Sequence, residues 1–287
     1  MTRVGWIGLG AMGAPMAACV ARAGHQIVAF DIDSSRAQAL AGDGVEAAAT
    51  VADAVSGADV LVLMVATPEQ VEDVLFGDGE AAGALRPGAT VVIMATVGPA
   101  PVAAWAQRLG EVDVVDAPVS GGVARAADGD LLIMVGGAEA AVEGVRPLLD
   151  AMARTAPLVG PEPGDGQKVK LVNQLLCGVH IAAAAEGLAF AEAIGLDARA
   201  CWEVIRDGAA ASFMLDDRGA RMLDDAFEDP KSALDIFVKD MALVTDAARQ
   251  NAYPAPLATV AEQLYVAGRR AGLGRLDDSS LIKILRG

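Results

Sequence analysis

Gly8, Gly10 and Gly13 stand in the spacing Gly-x-Gly-x-x-Gly, directly after an apolar run at residues 4–7 and at the start of an Ala-rich helical pattern at residues 11–23. A strand, a tight glycine turn and a helix N-terminus in that order present backbone N–H groups to a phosphate. The first glycine permits the bend, the second lets a pyrophosphate approach the backbone, and the third allows close packing of helix on strand. Eighteen residues past Gly13, a second apolar run ends in Phe30-Asp31. An acid at that distance accepts hydrogen bonds from an adenosine ribose and repels a 2′-phosphate. The pattern therefore predicts NAD in preference to NADP, with Arg36 nearby keeping a phosphate contact open.

A second candidate is Asp116-Ala117-Pro118-Val119-Ser120-Gly121-Gly122, which follows a strand pattern and sets a hydroxyl beside two glycines. It reads equally as an anion-binding nest for a carboxylate or as a plain glycine turn. Lysine usage gives an independent clue. The 22 basic residues include only five lysines: Lys168, Lys170, Lys231, Lys239 and Lys283. A lysine kept in an arginine-dominated chain suits a position that needs an amine able to lose its proton, which guanidinium does not do. Lys170 lies four residues before Gln174, so on a helix the two share a face. Partial burial brings such an amine towards working pH and suits it to exchange a proton with an alcohol or carbonyl. The alternative, from the residues alone, is an ordinary surface lysine. Lys239, before Asp240, lies on a helical pattern whose alternating charges also fit a solvated face. His180 sits between apolar neighbours and is expected in the core. No Ser-His-Asp order, His-x-x-x-His pair or carboxylate cluster stands out, so neither a metal site nor covalent acyl chemistry is expected.

These residues need a scaffold. Up to about residue 160, short apolar runs at 4–7, 26–30, 60–65, 90–94, 112–115 and 131–135 alternate with helical segments. Runs that are apolar throughout fit strands buried on both faces, and strands separated by helices make a parallel sheet. The expectation is an α/β fold: a Rossmann-type doubly wound parallel sheet at residues 1–163, then an all-helical domain at 164–287. The punctuated stretch 158–166, with Gly160, Pro161, Pro163, Gly164 and Gly166, marks the boundary as a place where neither helix nor strand continues. After it, a helix at 167–194 would be ~40 Å long at 1.5 Å per residue and would join the domains. Further helices are expected at 198–207, 232–251 and 256–271. The charge of −16 argues against nucleic acid and anionic membrane surfaces as partners. Polar interruptions in the most apolar stretch, 171–185, predict no transmembrane span, and no signal peptide is read at the N-terminus, so the expected compartment is the cytoplasm. Cys19, Cys177 and Cys201 are widely spaced and read as small buried hydrophobes. A hydrophobic content of 54% with an Ala-rich second domain predicts a homodimer or homotetramer packed through helices, which would bring a partner's residues 277–283 close to the cleft.

The chain resembles the β-hydroxyacid dehydrogenase family, which includes 3-hydroxyisobutyrate dehydrogenase, tartronate semialdehyde reductase and 6-phosphogluconate dehydrogenase. The resemblance spans essentially the whole chain. It is carried by the run from Gly8 to Met16, by Asp116 to Gly122, by Gly166-Gln167-Lys168-Val169-Lys170 and by Phe237-Val238-Lys239-Asp240. It implies that Lys170 is the catalytic acid/base and that Ser120, Gly121 and Gly122 hold the carboxylate of a small hydroxy acid. It places Asn173 and Gln174 against the substrate. Gly8, Leu9, Gly10, Ala11, Met12, Gly13, Asp31, Val65, Ala66, Thr96 and Lys239 are implied to line the cofactor. The family usually has Asn where this chain has Gln174, and a Ser-Thr pair where it has Ala95-Thr96. The runs 173–183 and 277–284 look most like members that oxidise a four-carbon sugar acid such as L-threonate. Oxidation of 3-hydroxyisobutyrate and reduction of tartronate semialdehyde are the alternatives. Lys170 argues against an imine reductase and against a non-catalytic NAD-binding regulator.

Overall fold

The computed structural model describes residues 1–78 and 80–286. The chain forms two compact units, Met1–Lys170 and Leu171–Gly287. In the first, β1 (Arg3–Ile7), β2 (Gln26–Phe30), β3 (Val45–Ala47), β4 (Val60–Leu63), β5 (Thr90–Ile93) and β6 (Asp113–Asp116) lie parallel in the order β6-β5-β4-β1-β2-β3. This is the order of dinucleotide-binding sheets, with the direction of winding reversing between β1 and β4. Side chains along β4 show why its sequence is apolar throughout. Val60 and Val62 enter one core with Trp6, Met16 and Leu131, while Leu61 and Leu63 enter another with Val91, Val102 and Trp105. Burial on both faces removes the alternation expected of a half-exposed strand.

The expected strands at residues 4–7, 26–30, 60–65, 90–94 and 112–115 appear within a residue or two of their positions. The run 131–135 does not form one strand. Its first part is β8 (Leu131–Ile133), in a small sheet between β7 (Val119–Ser120) and β10 (Ala153–Thr155), and its end is β9 (Val135–Gly136), antiparallel to β6 in the main sheet. The sheet is therefore mixed at this edge. The punctuated stretch also differs from expectation, because β11 (Leu158–Gly160) pairs with β9 before the chain turns.

A 29-residue helix, Asp165–Ala193, begins in the first unit and continues through the second. It is long and apolar enough by composition to cross a membrane, and 44% of its most apolar window is buried within this fold. His180 is exposed on it, contrary to the core position expected from its neighbours. It shares a face with the exposed Val172, Leu176 and Phe190, because positions three or four apart line one side of a helix. Of the cysteines, Cys19 is buried and the other two are partly exposed.

Helices Ala198–Ile205, Phe213–Leu223, Leu234–Gln250 and Pro256–Arg270 complete the second unit around Ile181, Leu188, Met222, Phe237, Met241 and Tyr265. Gly178 lets Leu234–Gln250 close in, since a Cβ there would lie 2.2 Å from Met241 Sδ. Tyr265 donates to Gly178 O at 2.9 Å and stacks on Phe237. The helix Phe213–Leu223 has no counterpart among the expected elements. It carries Arg218 and Arg221, which pair with Asp278 and Asp277 of the short helical turn that follows the unit's last long helix. Asp277, Asp278, Ser279 and Ser280 are fully buried.

Candidate active site

The carboxyl ends of β6, β5, β4, β1 and β2 collect most of the residues singled out by sequence. Gly8 follows β1 with φ +99°, and its N–H donates to Phe30 O at 2.9 Å. A Cβ at Gly8 would stand 2.4 Å from Met64 O, and one at Gly13 would stand 2.1 Å from Gly8 O. Both positions exclude a side chain for reasons of backbone packing. Gly10 is different, because a Cβ there meets nothing within 4 Å. The middle of the turn thus opens onto space, next to the start of helix Gly13–Arg22, where no side chain caps Met12. A pyrophosphate fits that opening beside the N-terminus of a helix.

Asp31, buried at the end of β2, accepts from Leu9 N at 2.7 Å and from Asp33 N at 2.9 Å. Its carboxylate therefore fixes the Gly8–Gly13 turn. Arg36, half exposed, lies 3.7 Å from Asp31 and 3.5 Å from Asp33, so carboxylates already face its guanidinium. Val65 and Ala66 follow β4, and Ala66 N donates to Gln70 Oε1 at 2.8 Å, the same oxygen that accepts from Thr67 N in the capping box that starts helix Pro68–Phe76. Thr96, half-buried after β5, is bracketed by Gln167. That fully buried amide accepts from Val97 N and Gly98 N at 3.0 and 3.1 Å and donates to Ala95 O at 3.0 Å.

Ser120 ends β7, pairing with Leu132, and is followed by Gly121 and Gly122 at φ +146° and +77°. Those two backbone conformations favour glycine. Lys170, only 6% exposed, donates from Nζ to Val119 O at 2.8 Å, which places its amine beside the Ser120-Gly121-Gly122 turn. Lys168 lies on the exposed side of the same turn of helix and pairs with Asp165.

Asn173, Gln174 and Lys239 belong to the second unit, where a carboxylate brings them together. Gln174 Nε2 donates to Asp240 Oδ2, Lys239 Nζ lies 2.8 Å from Asp240 Oδ1, and Asn173 Nδ2 donates to Gln174 Oε1 at 2.8 Å. Gln174 and Asp240 are both buried.

Sequence reasoning assigns no role to Asp116, Gln167 or Asp240, although each stands inside a motif that carries the family resemblance. Asp116 is fully buried and accepts from Gly164 N at 2.7 Å and Gln167 N at 2.6 Å. Burial pushes its carboxyl up to about 7, helped by the charge of Asp165 and opposed by those two N–H donors. The one signal available in sequence is an acid closing an otherwise apolar strand, where burial is costly unless bonds compensate. Among the described residues no group of three or more His, Cys, Asp or Glu is placed to hold a metal ion.

Two family profiles together cover nearly the whole chain. Residues 3–160 match the NAD-binding domain of 6-phosphogluconate dehydrogenase, and residues 164–285 match the NAD-binding domain of NADP-dependent 3-hydroxyisobutyrate dehydrogenase. The L-threonate dehydrogenase of Cupriavidus necator is 42% identical, with 99% of this chain and 96% of that protein aligned. The 2-hydroxy-3-oxopropionate reductase of Escherichia coli is 36% identical over 99% and 97%. Among solved structures, a 3-hydroxyisobutyrate dehydrogenase from Salmonella typhimurium superposes with a TM-score of 0.92 at 37% identity, covering 99% of this chain and all of the other. Imine reductases, such as that of Pseudomonas sp. at 22% identity and a TM-score of 0.63, share the fold alone. Sequence and structure together show that the chain belongs to the β-hydroxyacid dehydrogenase family, of the 3-hydroxyisobutyrate dehydrogenase type.

Proposed function

We propose that this chain is an NAD-dependent dehydrogenase of a four-carbon sugar acid such as L-threonate, oxidising its hydroxyl to the oxo acid. The observation that carries the reading is the buried Lys170 amine held at Val119 O beside Ser120-Gly121-Gly122. When bound, the nicotinamide ring supplies the hydride acceptor; proton transfer and positioning fall to the protein. Ser120 and the backbone at Gly121 and Gly122 orient the carboxylate. Lys170, as the neutral amine, takes the hydroxyl proton while its bond to Val119 fixes the direction of approach.

Gln174 lies one helical turn beyond Lys170. Its side chain uses one N–H toward Asp240 and one lone pair toward Asn173, which leaves an amide one donor and one acceptor for a substrate hydroxyl. Asn173 and Asp240 hold that amide in orientation. The longer side chain of Gln174 supports a polyhydroxy acid, as does the similarity to L-threonate dehydrogenases. NAD is favoured over NADP because Asp31 puts a buried carboxylate at the end of β2. The exposed stripe Val172, Leu176, Phe190 and Ile194 on the long helix supports assembly of copies through this face. The test follows nicotinamide absorbance with NAD or NADP and L-threonate, D-erythronate, D-glycerate, 3-hydroxyisobutyrate or 3-hydroxypropionate. Lys170→Ala should lower turnover at least ~100-fold. Turnover of 3-hydroxyisobutyrate without L-threonate would move the substrate assignment, and near-normal turnover by Lys170→Ala would defeat the acid/base role.

A further inference from the structure

We propose that Asp116 is a positioning residue for Lys170, its carboxylate clamping the first turn of the long helix onto the strand end that leads into Ser120-Gly121-Gly122. The proposal rests on the acid/base role assigned to Lys170. Two attachments define the geometry. Asp116 Oδ1 and Oδ2 accept the backbone N–H groups of Gly164 and Gln167, so one carboxylate holds the approach to the helix and its third residue. Three residues after Asp116, Val119 O receives the Lys170 amine. Asp116 is thus the fixed base from which both the amine and its acceptor are measured.

The surrounding backbone is built around this carboxylate. A Cβ at Gly136, its partner across the antiparallel register, would lie 2.4 Å from Asp116 Oδ1; one at Gly166 would lie 2.8 Å from Oδ2. Gln167 extends the clamp, because its backbone N–H goes to Asp116 and its side chain bonds the backbone on both sides of Thr96. Lys170 follows three residues later on the same helix.

The charge on Asp116 matters to the clamp. As a carboxylate it accepts both N–H groups; once protonated, one oxygen carries an O–H donor and becomes a weaker acceptor for the buried N–H it faces. The charged groups facing it come from the start of the helix. Asp165 disfavours its ionised form, Lys168 is paired with Asp165, and Lys170 is turned to Val119 O. With burial placing the transition at about 7, the clamp changes state within the working pH range.

The experiment measures kcat for reduction of the oxo acid by NADH against pH. In that direction Lys170 must be protonated, a requirement that acid only favours, which leaves the low-pH limb to Asp116. The wild type should lose turnover below about pH 7. Asp116→Asn, whose amide accepts one N–H and opposes the other, should be at least ~10-fold slower at pH 8 and lack the low-pH limb. Asp165→Asn removes the neighbouring charge from a position near the surface and should move that limb to lower pH. A low-pH limb unchanged in either variant overturns the proposal, and Asp165→Asn decides if Asp116→Asn does not fold. Absence of any wild-type turnover sinks the functional reading instead. The clamp is then read from amide exchange of residues 164–170, which must accelerate at least ~10-fold in Asp116→Asn, because one bond of a buried charge-assisted pair is lost. Unchanged exchange overturns the clamp.

Discussion

Asp116 makes a second, purely thermodynamic demand. Its carboxyl is raised from 3.8 to about 7 in the folded protein, chiefly by burial. A folded-state value above the unfolded one means that the native state binds the proton more tightly. The resulting stabilisation is complete below the unfolded pKa and is lost as pH rises through the folded pKa. A tenfold difference in proton affinity corresponds to about 1.4 kcal/mol, so the full span is on the order of 4 kcal/mol. Between pH 8.0 and 5.5 the linkage relation for these two values gives about 2 kcal/mol of added stability on acidification. Asp116→Asn abolishes this ionisation. The assay is urea unfolding of both proteins at pH 8.0 and 5.5, read as the difference between them, in which titrations common to both cancel. The wild type should gain about 2 kcal/mol on the variant as pH falls. Parallel stabilities would refute the raised carboxyl, and a wild type that loses ground on acidification would reverse its sign.

Other substitutions test the remaining geometry. Gly13→Ala puts a Cβ 2.1 Å from Gly8 O, and the required backbone shift should cost about 1–3 kcal/mol in urea unfolding and weaken NAD binding by fluorescence titration. Asp31→Ser removes the carboxylate at the end of β2 and should lower the NAD-to-NADP ratio of kcat/KM at least ~10-fold; an unchanged ratio would remove Asp31 from cofactor choice. Asp240→Asn loses the ionic contact to Lys239 while keeping an acceptor for Gln174, and should raise the KM for the acid more than it lowers kcat. A KM equal to that of the wild type would separate Asp240 from substrate binding.

The parts of this protein that are legible in sequence are those fixed by local constraint. Gly8, Gly10 and Gly13 declare themselves because a turn and a close packing forbid a side chain at the outer two, while the middle one opens onto space, all within a few residues of chain. The apolar runs of β4 and β5 are legible because burial on both faces leaves no polar position. What stays hidden depends on distance along the chain. Asp116 serves amides 48 and 51 residues away, and Gln167 serves amides and a carbonyl 69 to 72 residues away. Neither partnership has a spacing that sequence could display. The run 131–135 is not one strand because its two ends join different sheets, a choice made by β6, β7 and β10 rather than by its own residues. His180 lies outside the core expected for it because apolar neighbours in sequence do not imply burial: a helix turns adjacent residues in different directions.

The Arg218–Asp278 and Arg221–Asp277 pairs carry a consequence for biosynthesis. Two guanidinium groups on helix Phe213–Leu223 find their carboxylates 56 to 60 residues later, in a turn that is completely enclosed. Until that turn has left the ribosome, the two guanidinium groups share Asp217 on their own helix, so packing that helix would bury two cations against one counter-charge, at a cost of several kcal/mol. The nucleotide-binding half has a shorter wait, since the buried Asp116 meets its amides 48 and 51 residues later, inside the same unit. The helical half waits for residues 277 and 278, so a message cut short before them yields a chain with one finished domain and one that is held open for the cell's proteases.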